Sequence, residues 1–220
     1  MLFEPARSAD PPISILFFFT SELIIDSDDF CPTTSDGLVG YGRRISNGSG
    51  IYKTVDGGLN WTIENINDNI YTHITFPSEN IGYAERNGAL YKSTNQGRDW
   101  DPHNDKGFKH MSFVSDKIGY GYYDASLWKT VDGGLNWTKI NDVGYVELSF
   151  PTENIGYGQT TGGTYKTTDG GVTWSLVKDQ AYDYLYFPTV SIGYGIIGGT
   201  GSNQGTYKTI DGGVTWTKVN

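Results

Sequence analysis

The chain has 220 residues, a formal net charge of −9 and five arginines (Arg7, Arg43, Arg44, Arg86 and Arg98), a balance that argues against nucleic acid or an anionic membrane surface as its partner. Cys31 is the sole cysteine, which excludes internal disulfides and Cys-rich metal sites. The 16 Tyr, 10 Phe, 6 Trp and 30 Gly suit pleated, half-buried surfaces joined by tight turns, so the composition predicts an all-β protein and argues against disorder.

From the N-terminus, Arg7 precedes a short apolar run, Ile13-Ser-Ile-Leu-Phe-Phe-Phe19. Seven residues are too few to span a bilayer, and Glu4, Asp10, Pro11 and Pro12 break the pattern of a secretory leader. The run reads as a strand, with an atypical export signal as the alternative. Asp26-Ser-Asp-Asp29 has the oxygen density of a calcium loop without the glycine its turn requires, and reads as a solvated loop. Residues 1–22 form an N-terminal extension, and residues 23–220 a single domain built of repeats.

Three motifs recur in fixed order. The most regular reads Ile51-Tyr-Lys-Thr-Val-Asp-Gly-Gly-Leu-Asn-Trp61, and returns with its acidic or amide residue at 95, 132, 169 and 211, intervals of 39, 37, 37 and 42. Before each copy stands a Gly-Tyr segment: Val39-Gly-Tyr-Gly42, Ile81-Gly-Tyr-Ala84, Ile118-Gly-Tyr-Gly121, Ile155-Gly-Tyr-Gly158 and Ile192-Gly-Tyr-Gly195. Further upstream lie Tyr71–Phe76, Phe108–Phe113, Tyr145–Phe150 and Tyr182–Phe187, each running into a turn. Period-2 patterning and turn punctuation give four strands per unit, A to D in chain order. A four-stranded sheet of about 40 residues buries both faces only by stacking around a ring, so the spacing predicts a β-propeller of five antiparallel blades. The repeats end near Asn65, Asp101, Asn141, Val177 and Asn220, with residues 23–36 supplying a degenerate first strand A. Residues 13–19 are then surplus, either a strand at the closing seam or a remnant of a missing blade. A closed ring predicts a monomer, and an open arc predicts self-association.

The residues of the repeated box have architectural reasons. An Asp opening a tight turn accepts hydrogen bonds from N–H groups just ahead of it, and the following glycines supply positive φ. The Trp buries a large ring beneath the turn. The predicted structural set is Asp56, Gly58 and Trp61; Asn95, Gly97 and Trp100; Asp132, Gly134 and Trp137; Asp169, Gly171 and Trp174; and Asp211, Gly213 and Trp216. The second copy, with Asn95 for Asp and Gln96 for the first Gly, is expected to hold the weakest turn.

Ser/Thr-x-Asp-x-Gly-x-x-Trp resembles the Asp-box of sialidase-type propellers. The longer pattern, Ile-Gly-Tyr followed by Tyr-Lys-Thr-x-Asp-Gly-Gly-x-x-Trp, more closely resembles the photosystem II assembly and stability factor family. That resemblance covers about residues 31–220. It implies a propeller with structural boxes, a protein or glycan partner, and an extracytoplasmic or secreted location. The family usually has seven blades and an arginine-rich partner patch, whereas this chain has five boxes and few arginines.

Enzyme chemistry finds little support. A sialidase needs three convergent arginines, and no arginine follows Arg98. A two-carboxylate hydrolase on loop acids is the surviving enzymatic alternative. His73, His110, Glu147 and Tyr184 hold equivalent places in successive A strands and are expected to line a polar channel. Two histidines and a carboxylate are also a metal-ligand set, but repeat alignment alone favours a channel wall, and no cofactor is expected. The repeating Lys53, Lys92, Lys129, Lys166 and Lys208 read as blade-surface partners of acids rather than an anion site. Specificity is expected in loops between strands B and C, with Arg43, Arg44, Arg86, Tyr122 and Tyr123 as candidate contacts. The functional reading is a non-enzymatic interaction scaffold.

Overall fold

A computed structural model describes residues 31–32, 38–44, 50–57, 59–65, 71–198 and 202–219. The N-terminal extension, with the 13–19 run, lies outside them. The fold is the predicted five-bladed β-propeller. Blade 1 comprises β1 (Cys31–Pro32), β2 (Gly40–Arg44), β3 (Gly50–Thr54) and β4 (Thr62–Asn65). Blade 2 comprises β5 (His73–Thr75), β6 (Gly82–Arg86), β7 (Ala89–Ser93) and β8 (Asp101–Asn104). Blade 3 comprises β9 (His110–Phe113), β10 (Gly119–Tyr123), β11 (Ser126–Thr130) and β12 (Thr138–Asn141). Blade 4 comprises β13 (Glu147–Ser149), β14 (Gly156–Thr160), β15 (Gly163–Thr167) and β16 (Ser175–Lys178). Blade 5 comprises β17 (Tyr184–Tyr186), β18 (Gly193–Ile197), β19 (Gly205–Thr209) and β20 (Thr217–Lys218).

Each sheet is an antiparallel meander, so the A–B loops and C–D turns gather at one end of the ring. The B–C turns and D–A connections gather at the other. The first strand A is β1, within the 23–36 stretch, and its Pro32 pairs with Gly40 where Phe113 pairs with Gly119 in blade 3.

The Gly-Tyr motif is the joint between blades. Tyr41, Tyr83, Tyr120 and Tyr157 are fully buried. Each stacks nearly parallel on an aromatic of the next blade: Phe76 at 3.8 Å, Phe113 at 3.7 Å, Phe150 at 3.6 Å and Phe187 at 3.4 Å between centroids. The hydroxyls then donate to backbone carbonyls of the next A–B loop: Glu79 at 2.8 Å, Asp116 at 2.9 Å, Glu153 at 2.5 Å and Val190 at 2.6 Å. The glycine before each tyrosine makes room for that Phe within its own blade. A Cβ on Gly156 or Gly193 would lie 2.4 Å from the ring of Phe150 or Phe187. The edge of the same Phe meets the box tryptophan, as Phe150 meets Trp174 with centroids 5.9 Å apart.

These contacts rank three substitutions. Phe150→Ala empties a buried aromatic site and is expected to cost about 3–5 kcal/mol. Gly156→Ala overpacks against that ring at about 1–3 kcal/mol. Tyr120→Phe orphans one carbonyl at about 1–2 kcal/mol. Urea unfolding of the three variants checks the order.

Candidate functional site

The boxes are occupied with their own architecture. Asp132 accepts from Asn136 N at 2.9 Å, from Asn136 Nδ2 at 2.8 Å and from Thr130 Oγ1 at 2.9 Å. Asp169 and Asp211 do the same with Thr173 and Thr215, and Asp56 with Asn60. The hydrogen bonds that Asn136, Thr173 and Thr215 donate hold Asp132, Asp169 and Asp211 ionised, with pKa values lowered to about 2. Trp100, Trp137, Trp174 and Trp216 donate their indole N–H to the carbonyls of Gly97, Gly134, Gly171 and Gly213. Their rings pack on the strand-A aromatics, Trp137 on Phe108 at 3.9 Å and Trp174 on Tyr145 at 4.4 Å. Trp61 is half-buried, and Gly58 lies outside the described residues.

The box also receives its neighbour. The amides of Asn65, Asn104 and Asn141, at the ends of β4, β8 and β12, donate to the carbonyls of Arg98, Leu135 and Gly171 in the following box. His103 belongs to the same joint, with Nε2 2.7 Å from the Gly133 carbonyl. In the second box Asn95 reproduces the aspartate's bonding, accepting from Asp99 N at 2.9 Å and donating to Asp99 Oδ2 at 2.7 Å. Gln96 takes a positive φ of 68°, a costly conformation for a side-chain residue, yet its amide carbonyl accepts from Lys53 Nζ of blade 1 at 2.8 Å.

The repeating lysines serve the same seams. Lys53 and Lys129 reach across to Glu79 and Glu153 at 2.6 and 3.0 Å. All five lysines lie 5.1–5.8 Å from the ring centroid of their own blade's Gly-Tyr tyrosine.

The four expected channel residues head the described inner strands β5, β9, β13 and β17, at the B–C and D–A end of the ring. The rings of His73 and His110 stand edge to face with centroids 4.9 Å apart, and His110 Nδ1 is 3.6 Å from Glu147 Oε1. That distance exceeds a hydrogen bond, and burial outweighs the carboxylate. Burial, followed by the charge of Lys109, lowers the pKa of His110 to about 4. Burial, followed by His110, Arg43 and Lys109, lowers that of His73 to about 3. The pair is neutral near pH 7, and His73 Nδ1 is buried without a hydrogen-bond partner. Among the described residues no three His, Cys, Asp or Glu side chains are arranged to hold a metal ion.

The candidate loop contacts sit elsewhere than the sequence suggests. Arg43, Arg44, Arg86, Tyr122 and Tyr123 end strands β2, β6 and β10 rather than occupying loops. Three of the B–C connections are two-residue turns, Asn87–Gly88, Asp124–Ala125 and Thr161–Gly162, and Asn87, Asp124 and Ala125 all take positive φ. Arg43 is buried, its guanidinium donating to the Tyr71 carbonyl at 2.7 Å, so it joins blade 1 to blade 2. Arg86 lies over Tyr91, 5.7 Å from the ring centroid. Tyr123 contacts Phe108 and Trp128 edge-on, and the Trp128 indole donates to the Tyr123 carbonyl at 3.0 Å. Trp128 stands where the other copies of the repeated motif carry Tyr.

Residues 165–176 match the BNR/Asp-box repeat family model. No curated protein sequence matches the chain significantly. Solved propellers share the fold at low identity. One is the GH74 xyloglucanase of Xanthomonas campestris, with TM-score 0.61 and 14% identity over 88% of this chain and 37% of that one. Another is YCF48 bound to D1 peptide, with TM-score 0.56 and 13% identity over 86% of this chain and 67% of that one. A third comes from a nidogen/laminin complex, with TM-score 0.66 and 10% identity over 87% of this chain and 78% of that one. The chain spans only about a third of the length of the GH74 enzymes it matches, 30%, 31% and 37%. No helix among the described residues is long and apolar enough to cross a membrane.

The pKa shifts predict acid unfolding in two stages. The unfolded histidines take up protons near pH 6.5, whereas the folded pair takes them up only near pH 3 to 4. Stability is therefore complete above about pH 6.5 and falls as the pH drops toward 4. The box aspartates, lowered from 3.8 to about 2, contribute above pH 3.8 and lose that contribution toward pH 2. Thermal melts across pH 2–8 are expected to show both stages, with His73→Gln/His110→Gln shrinking the upper one, to which His103 also contributes because burial lowers its pKa.

Proposed function

We propose that this Asp-box β-propeller is a non-enzymatic interaction scaffold that binds a partner protein across the B–C and D–A end of the ring. The observation that carries the reading is a division of labour. The box aspartates are bonded within their own turns, while Lys53, Lys129, Arg43 and His103 join neighbouring blades. His73, His110, Glu147 and Tyr184 head neighbouring inner strands beside the short B–C turns of blades 2 to 4, which suits a preorganised binding surface. Fold relatives solved with a D1 peptide and in a nidogen/laminin complex support the use of such a ring for protein binding.

The second reading is a carbohydrate-active hydrolase, favoured by the likeness to GH74 xyloglucanases. The acids beside those turns lend it little. Glu85 is buried and accepts from Gly88 N at 2.7 Å, and Glu147 faces the neutral His110.

A peptide-display selection against the full chain, paired with a turnover screen on β-glucans including xyloglucan, tests the proposal. Selected peptides are expected to bind at least tenfold more weakly to His110→Ala/Tyr123→Ala, with no turnover. Reproducible hydrolysis abolished by Glu147→Gln would replace the scaffold reading with the enzymatic one.

A further inference from the structure

The opposite end of the ring carries a pattern that the fold does not require. Two positions flank each box aspartate, one immediately before it and one three residues after. Blades 1, 3 and 5 fill both with aliphatic residues: Val55 and Leu59, Val131 and Leu135, Ile210 and Val214. These six side chains are 57–70% exposed. The turn does not demand them, because blade 2 carries Thr94 and Arg98 there with the turn's bonding intact. Largely water-facing aliphatics that recur at equivalent places in three blades form a pattern distinct from singly scattered surface apolars.

The pattern is densest where blades 5 and 1 adjoin. Leu38 and Val190, in the A–B loops of those blades, are exposed at the same end. Backbone bonds tie each A–B loop to its own box turn, Gly57 N to Leu38 O at 2.9 Å and Gly212 N to Ser191 O at 2.8 Å. The two blades thus present six aliphatic residues around Asp56 and Asp211.

Charge identifies the kind of occupant. Asp211 is exposed and Asp56 half-buried, and both take their hydrogen bonds from neutral donors, Asn60 and Thr215 among them, so the carboxylates keep their charge. A second copy of this chain would set like charges against one another. A membrane with anionic headgroups would be repelled in the same way. We propose that this end of the ring, centred on blades 5 and 1, docks a basic amphipathic polypeptide segment whose apolar side chains are spaced by Lys or Arg. The apolar groups would cover the aliphatic pairs, and the cations would meet the aspartates between them.

Fluorescence anisotropy of the full chain with a labelled peptide of alternating Leu and Lys tests this, with a Leu/Glu peptide as control. The Leu/Lys peptide is expected to bind and the control to fail. Val55→Ser/Leu59→Ser/Ile210→Ser/Val214→Ser is expected to weaken binding at least tenfold. A second variant, Val55→Thr/Leu59→Arg, copies the residues that blade 2 already tolerates and is expected to weaken binding as well. His110→Ala/Tyr123→Ala, at the other end of the ring, is expected to bind the peptide unchanged, which separates this surface from the one proposed above. Equal affinity in the wild type and the serine variant overturns the assignment. So does a wild-type dimer in sedimentation that the serine variant dissolves, since the occupant would then be a second copy.

Discussion

The structure depends on one joint, repeated: a tyrosine that leaves its own sheet to lie flat on a phenylalanine of the next blade. Its ring supplies the apolar contact and its hydroxyl closes a hydrogen bond to the neighbouring backbone. Neither half suffices alone. Stacked rings without the hydroxyl would leave a carbonyl of the next A–B loop short of a donor. A hydroxyl without the stack would leave a wedge-shaped gap where two twisted sheets diverge. Most of the residues that recur around the tyrosine follow from it. Glycine precedes it because the blade's own phenylalanine occupies the space of a Cβ, and lysine lies over the outer part of its ring. The box turn is drawn onto the same joint, with Gly133 packed beneath the Tyr83 hydroxyl.

This economy explains why the fold was legible in the sequence and the partner surface was not. Blade number, strand order and the turn glycines follow from spacing, because each blade must repeat the same joint to meet the next. The B–C connections, which the joint does not use, differ from blade to blade. Arg43 and Arg86 looked like loop contacts because they follow the Gly-Tyr strand, but pairing runs one or two residues further than composition suggests. In blade 3 two non-glycine residues at positive φ close the B–C hairpin: Asp124 and Ala125 give no turn signature as strong as the Asn87-Gly88 of blade 2, yet they form the same tight turn. The interblade grip of Asn65, Asn104 and Asn141 was present as an amide at one place in three repeats, but its acceptor lies in the next repeat.

The two strand-A histidines show the opposite case, in which position was legible and chemistry was not. Alignment of the repeats placed His73 and His110 side by side on adjacent inner strands, where they stand. Their neutrality is a property of the packed ring. Burial by neighbouring strands and the positive charge of Lys109 both disfavour protonation, and neither is visible from the residues themselves. Gln96 is similar. Read alone it looks like a defect in a glycine-rich turn, whereas in the ring it receives a lysine from the preceding blade.

The tyrosine joint also bears on how the ring assembles and how such rings change in number. Each described joint links residues 33 or 38 positions apart, the distance from one repeat to the next. Assembly can therefore proceed as a sequence of short loop closures, each costing little chain entropy, with one long-range step when blade 5 meets blade 1. A repeat whose two edges carry the same tyrosine and phenylalanine is interchangeable with its neighbours. Duplication of one repeat would add a blade without creating a new kind of interface, and only the curvature at the seam would have to adjust. At that seam the strand register that pairs Phe113 with Gly119 in blade 3 pairs Pro32 with Gly40 in blade 1, so the backbone frame of the repeat is kept where the ring closes.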